Sequence, residues 1–247
     1  KDWNVRNFHG YLTQKGSTYN AYLIIDEKIT LIDTVKAPFC EEFLERISQV
    51  VDLSKIEYVV SNHVEMDHSG CMPEVMKRLP NATVLTNAAA EKEHKLHYDT
   101  TNWKIQTVKT GDSVSIGKRT LTFLTTPMVH WPDNMLTYCP EDKILFSNDA
   151  FGQHLASSEN FDDELSLDLI LAEAKKYYAN IVMPYSSQVV TALKAASALD
   201  IKMIAPAHGL IWRTNLPAIL ECYTKWSNQE KEKKAVIVFD SMWHSTE

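Results

Sequence analysis

Ile56-Glu57-Tyr58-Val59-Val60-Ser61-Asn62-His63-Val64-Glu65-Met66-Asp67-His68-Ser69-Gly70 is the stretch that decides how this chain is read. Its first five residues form an apolar, β-branched run of the kind that makes a buried strand. Ser69-Gly70 signals a turn, and a helix-like segment follows. Between them, four of the six residues from His63 to His68 are His, Glu or Asp. The chain has 32 acidic residues and 9 histidines among 247, so about one such residue is expected in six positions. Ligand-type side chains fanned out by a loop at the mouth of a strand suit a metal site. The plainer alternative is a solvated acidic loop at a strand end.

Composition sets outer bounds. A chain of 247 residues can bury one good core, or one domain and a fragment of another. With 25 basic and 32 acidic residues its formal charge is −7, which argues against nucleic acid or an anionic membrane as partner. No apolar run is long enough to span a bilayer, and no basic-then-apolar leader precedes the first strand. The sequence starts at Lys1 rather than Met, so a trimmed start is expected. Cys40, Cys71, Cys139 and Cys222 are scattered without a C-x-x-C pair. They read as reduced thiols of a cytoplasmic protein, with Cys71 a small buried thiol rather than a ligand.

Outward from the cluster, strand-like runs at Tyr19–Ile25 and Ile29–Thr34 precede a helix after Pro38, with Phe39, Phe43, Leu44 and Ile47 on one face. Beyond it, a helix at about Pro73–Arg78, a strand at Thr83–Thr86 and a helix at about Ala88–Lys95 continue a β-α alternation. Short strands follow at Val114–Ile116, Thr120–Thr125, Met135–Cys139 and Lys143–Phe146. Helices at Leu165–Ala179 and Val189–Ala198 come next, then a strand at Met203–Ala205 and a helix around Pro217–Lys225. Mixed sheets with helices outside, in α-β-β-α layers, fit this order.

The tail differs. Ser227–Lys234 is polar and charged like a linker, and Ala235-Val236-Ile237-Val238-Phe239 reads as a fully buried strand. The hydroxyl-rich loop after it, from Asp240 onward, resembles the opening of a phosphate-cradling β-loop-α unit. The expectation is a chain that breaks off inside the first unit of a second domain.

Three further residues share a position. His130 follows Thr125-Thr126-Pro127-Met128-Val129 and precedes Trp131-Pro132, Asp149 follows Lys143-Ile144-Leu145-Phe146-Ser147-Asn148, and His208 follows Met203-Ile204-Ala205-Pro206-Ala207. Each is a ligand-type side chain just past an apolar strand. Singly, each reads as a surface or satisfied core residue. Together with the cluster, they read as ligands converging on one cleft.

His-x-Glu-x-Asp-His, then His, Asp and His in that order, resembles the metallo-β-lactamase superfamily, whose hydrolases carry His-x-His-x-Asp-His. The replacement of the second histidine by Glu65 is similar to the flavodiiron proteins, and the match extends to Leu31–Thr34, Phe146–Asp149, His208–Arg213 and Ile237–Glu247. The resemblance implies a metallo-β-lactamase-like αββα sandwich over residues 1–230, with the start of a flavodoxin-like domain in 231–247. It implies two iron ions: His63, Glu65, His130 and a bridging Asp149 on one, and Asp67, His208, Asp149 and His68 on the other, His68 being the ligand in which members of the family differ. A carboxylate in place of an imidazole moves preference from zinc toward iron or manganese. The implied activity is reduction of dioxygen to water or nitric oxide to nitrous oxide, fed by FMN held at Ser241, Met242, Trp243, His244, Ser245 and Thr246. The implied partners are an electron donor (rubredoxin, a flavin reductase or reduced deazaflavin) and a second subunit in a head-to-tail homodimer or dimer of dimers. A metal-dependent hydrolase of the same fold is the alternative. Tyr19, Trp131, His154 and Tyr185 are candidates to line the pocket, though buried tyrosines and a structural histidine need no such role.

Overall fold

The computed structural model of the chain describes residues 1–243. Its strands in chain order are β1 (Asn7–Phe8), β2 (Tyr11–Leu12), β3 (Tyr22–Ile24), β4 (Ile29–Ile32), β5 (Ile56–Val60), β6 (Thr83–Thr86), β7 (Lys104–Thr107), β8 (Ser113–Ser115), β9 (Thr120–Thr125), β10 (Met135–Cys139), β11 (Ile144–Asn148) and β12 (Met203–Pro206). The α-helices are α1 (Cys40–Ser48), α2 (Met66–Ser69), α3 (Met72–Arg78), α4 (Ala88–His97), α5 (Leu167–Tyr177), α6 (Ser186–Ala196) and α7 (Leu216–Ser227).

Two five-stranded sheets result, ordered β3-β4-β5-β6-β7 and β12-β11-β10-β9-β8, with β1-β2 a separate hairpin. β4 to β7 run parallel, as do β11 and β12; the remaining neighbours are antiparallel. Strand periodicity explains the layering. In the first sheet Leu31, Val59 and Val84 stand in register and pack with Leu44, Ile47 and Val75 of α1 and α3. Their neighbours Ile32, Val60 and Leu85 point to the other face and meet Phe123, Met135, Phe146 and Ala205 of the second sheet. On that sheet's outer face, Leu124, Leu136, Leu145 and Ile204 meet Ile170, Val189, Ile219 and Tyr223 of α5, α6 and α7. Near-continuous apolar strands such as Val59-Val60 are what a sheet covered on both faces requires. The architecture is the expected αββα sandwich.

Two expectations are corrected. Cys40 and Cys71 form a disulfide with Cα atoms 5.2 Å apart, while Cys139 and Cys222 are free. The pairing is tertiary and invisible in spacing: Gly70 packs so tightly on the turn before α1 that a Cβ there would sit 2.8 Å from Ala37 N, and Cys71 N donates to Val35 O. Ala235–Phe239 forms no strand, and Val236, Ile237 and Val238 are at least 80% exposed. A buried strand needs neighbours, and none of the described strands pairs with it. His244, Ser245 and Thr246, half of the expected flavin cradle, lie outside the described residues; Ser241, Met242 and Trp243 are described but form no helix or strand.

No helix of the described residues is long and apolar enough to cross a membrane.

Candidate metal centre

The cleft lies where the C-terminal ends of β5, β9, β11 and β12 converge. His63 and the loop to α2 follow β5, His130 follows β9, Asp149 follows β11, and His208 follows β12. Met135 N at the start of β10 donates to Asn62 O, tying the two sheets together at this end. Asp33, just past β4, clamps the ligand-bearing loops. Its carboxylate accepts from Asn62 N (2.7 Å), Asn62 Nδ2 (3.0 Å) and Asn148 Nδ2 (3.2 Å). Asp33 and Asn148 adopt φ of 57° and 49°, a region that Asp and Asn enter more readily than most residues. Met128 and Phe151, each two residues from a ligand-type side chain, also have positive φ, and such strain concentrates at functional sites. Gly209, with φ 78°, is held against the buried Gln153 amide, which a Cβ would strike.

Two groups of donor atoms built around Asp149 face one another within the cleft, and a third set, His9 with Asp67 and His208, overlaps the second. In the first, His63 Nε2 lies 3.4 Å from Glu65 Oε2 and 3.5 Å from Asp149 Oδ2, and His130 Nε2 lies 3.2 and 3.0 Å from the same two oxygens. In the second, His68 Nε2 lies 3.4 Å from Asp67 Oδ2 and 3.0 Å from Asp149 Oδ1, and His208 Nε2 lies 3.1 and 3.3 Å from the same two oxygens. Donors about 2.1 Å from a shared cation are about 3.0–3.4 Å apart at right-angle to tetrahedral spacing. Asp149 turns one oxygen to each group. Buried His63 Nε2, His68 Nε2, His208 Nε2, Glu65 Oε2, both Asp67 oxygens and Asp149 Oδ1 have no hydrogen-bond partner. Buried polar atoms left unpaired are costly, and so many aimed at two centres fit a pair of cations.

The electrostatics agree. Burial would push the carboxyls up, but the facing imidazoles outweigh it and hold Glu65, Asp67 and Asp149 anionic. Burial would lower the imidazoles, but Asp149 and Glu65 carry His130 up to about 9, and Asp149 and Asp67 carry His208 up to about 10. His63 Nδ1 is held by Asp133, and His208 Nδ1 donates to Thr18 O at 2.6 Å, so both rings turn Nε2 to the cleft.

All seven residues expected as ligands are brought together here. The pocket candidates divide. Trp131 packs edge-on to His63, with ring centroids 5.2 Å apart, and His154 lies 4.9 Å from the His208 ring. Tyr19 is near His208 at 6.1 Å, but its hydroxyl donates to Asp2 at 3.0 Å. Tyr185 sits half-buried on the short 3₁₀ turn Met183–Tyr185, while the tyrosine ring that reaches His154 and His208 is Tyr177.

Three contributors escaped sequence reasoning. His9, on the β1-β2 turn, places Nε2 3.4 Å from Glu65 Oε1 and its Nδ1 3.0 Å from His154 Nε2. Phe8 stacks on the His9 ring, and Asp133 is the carboxylate behind His63. No local pattern in the sequence marks these three residues.

Two groups of candidate ligands sharing one carboxylate at the edge of an αββα sandwich are the arrangement of a binuclear-metal domain of the metallo-β-lactamase type. Residues 18–209 match the family described as ODP family beta lactamase, and the chain belongs to that family. Its relatives are flavodiiron proteins. The chain is 49% identical, over all of its length and 63% of the relative's, to a nitric oxide reductase of Moorella thermoacetica. It superposes on rubredoxin oxygen:oxidoreductase from Desulfovibrio gigas with a TM-score of 0.94 and 42% identity, covering 99% of this chain and 62% of that one. For the flavodiiron protein from Giardia intestinalis the TM-score is 0.91 and the identity 44%, covering 92% and 56%. The chain thus spans about three-fifths of the length of these relatives.

Proposed function

We propose that this chain forms the metal-bearing part of an oxidoreductase that reduces dioxygen to water, nitric oxide to nitrous oxide, or both. The observation that carries the reading is the Glu65–His130–Asp149 arrangement, a carboxylate where a two-zinc hydrolase has an imidazole. Glu65, Asp67 and Asp149 give the paired site three anionic side chains, enough to offset three of the four charges of two divalent cations. His63, Glu65, His130 and Asp149 would hold one iron, and Asp67, His68, His208 and Asp149 the other. When bound, such an iron pair would supply electrons for the reduction of a small diatomic.

The chain's own side chains supply the rest. Asp133 and Thr18 O fix the His63 and His208 rings, and Trp131, Phe8 and Tyr177 wall the cleft. Reduction of either gas consumes protons. His9 stands beside Glu65 with its ring aligned by His154, and His154 in turn by Ser17 Oγ at 2.8 Å, which makes it the imidazole positioned to relay one into the cleft. Burial keeps His154 neutral.

The donor reading extends to FMN in a flavodoxin-like domain beginning in 231–247, to rubredoxin or a flavin donor, and to a head-to-tail dimer. A division near residue 230 is supported by the end of α7 at Ser227 and the exposed segment after it. The decisive test is stopped-flow mixing of the reduced, iron-loaded protein with dioxygen and, separately, nitric oxide. Rapid reoxidation by either gas is expected; inertness toward both, with esterase or thioesterase activity, would transfer the assignment to the hydrolase class.

A further inference from the structure

Behind the metal cleft lies a second, apolar cavity of about 20 Å³ between α6 and the second sheet. Its floor includes Val129 and Ala150, both buried, which are the chain neighbours of His130 and Asp149. Its mouth includes Ala192 and Ala196, which are partly exposed and one helical turn apart on α6. Two alanines at this spacing leave open what longer side chains would fill. The cavity therefore leads from the surface of α6 to within one residue of two metal-ligand positions.

The polarity of the walls selects the occupant. The volume suffices for one water-sized molecule, but a buried water needs two to four polar partners. Thr126 and Tyr223 carry the only polar side-chain atoms of the lining, and the Tyr223 hydroxyl is already engaged by Phe151 N at 2.6 Å. The wall surface is almost wholly apolar, which disfavours a water that needs several polar partners. A small molecule that needs no hydrogen bonds loses nothing by entering it.

We propose that this cavity is a gas-binding antechamber in which one small apolar diatomic dwells beside the metal centre. That the diatomic is dioxygen or nitric oxide rests on the function proposed above; the cavity's capacity for it does not.

The test uses the full chain loaded with zinc, which is diamagnetic and does not reduce dioxygen. Methyl relaxation is measured by NMR under dissolved dioxygen. The buried Val129 and Ala150 methyls should relax several-fold faster than those of Leu31, Val59 and Val84, which are likewise buried in a packed layer. Equal enhancement in both sets would overturn the proposal. Ala192→Leu, or Ala196→Leu should the first fold poorly, should abolish the enhancement and slow reoxidation of the iron-loaded protein by dioxygen several-fold. Loss of the NMR signal with an unchanged rate constant would show that the cavity does not serve the reaction. Strong enhancement in a protein whose iron form ignores both gases would sink the proposed function and leave the gas site standing.

Discussion

His63 Nδ1 lies 2.9 Å from Asp133 Oδ2, and both side chains are fully buried. The same oxygen accepts Val64 N, so Asp133 anchors the start of the ligand loop as well as the ring. Orienting carboxylates of this kind are worth about 10- to 100-fold in metal affinity. Asp133→Asn should weaken the first metal position by about that factor while leaving the second occupied, as read by competition against a chelator. Equal loss at both positions would mean that Asp133 supports the fold rather than the ring.

Asp149 gives one oxygen to each group, whereas His68 belongs only to the second. Asp149→Ala should therefore cost both metals and His68→Ala only one. Metal-to-protein ratios by plasma mass spectrometry decide this. A single metal lost from Asp149→Ala would remove the bridge from the account.

Glu65→His should shift preference toward zinc and abolish gas reduction, because it restores an imidazole where the hard oxygen ligand stands. Retained turnover with bound iron would show that Glu65 is no ligand.

Metal loading should release protons. Without a cation, the facing carboxylates hold His130 at about 9 and His208 at about 10, so both rings are protonated at neutral pH. Binding needs their bare nitrogens, so affinity falls as pH drops below these values, by about tenfold per displaced proton per pH unit. Calorimetry in two buffers of different ionisation enthalpy should show at least two protons released per chain near pH 7, and none if the rings are already neutral.

The Cys40–Cys71 disulfide closes a loop with a sequence separation of 31 that contains His63, Glu65, Asp67 and His68. A loop of that length contributes about 3–4 kcal/mol through the unfolded state. The Cys40→Ser, Cys71→Ser double variant should lose about that much in urea unfolding, and reductant should have no further effect on it. Identical midpoints for both proteins would show that the bond adds no stability.

Much of this was readable from residue order. Val59-Val60 and Ile144-Leu145-Phe146 announce covered strands, and the ligand-type residues follow the strands within a few residues, so sequence places them at one end of the sheets. β5, β6, β9 and β10 have the expected bounds because apolar and turn residues punctuate them sharply. What stayed hidden depends on tertiary approach. His9 and Asp133 carry no local pattern, and their roles arise only when β1-β2 and the loop before β10 close over the β5 loop. Tyr185 is the tyrosine of this region that sequence singles out, but helix phase carries Tyr177 to the cleft. Cys40 and Cys71 are separated by α1, β5 and the ligand-bearing loop with α2, which fold them together. Ala235–Phe239 has strand composition but no described strand to pair with, and composition alone does not supply one.

On the proposed function, one chain holds a pair of coupled irons. Mössbauer spectroscopy on anaerobically loaded, isotopically enriched protein, with metal content measured on the same sample, tests it most directly. Two irons per chain with magnetic coupling through the shared Asp149 are predicted. One iron, two uncoupled irons, or zinc retained at both positions in preference to iron would contradict it.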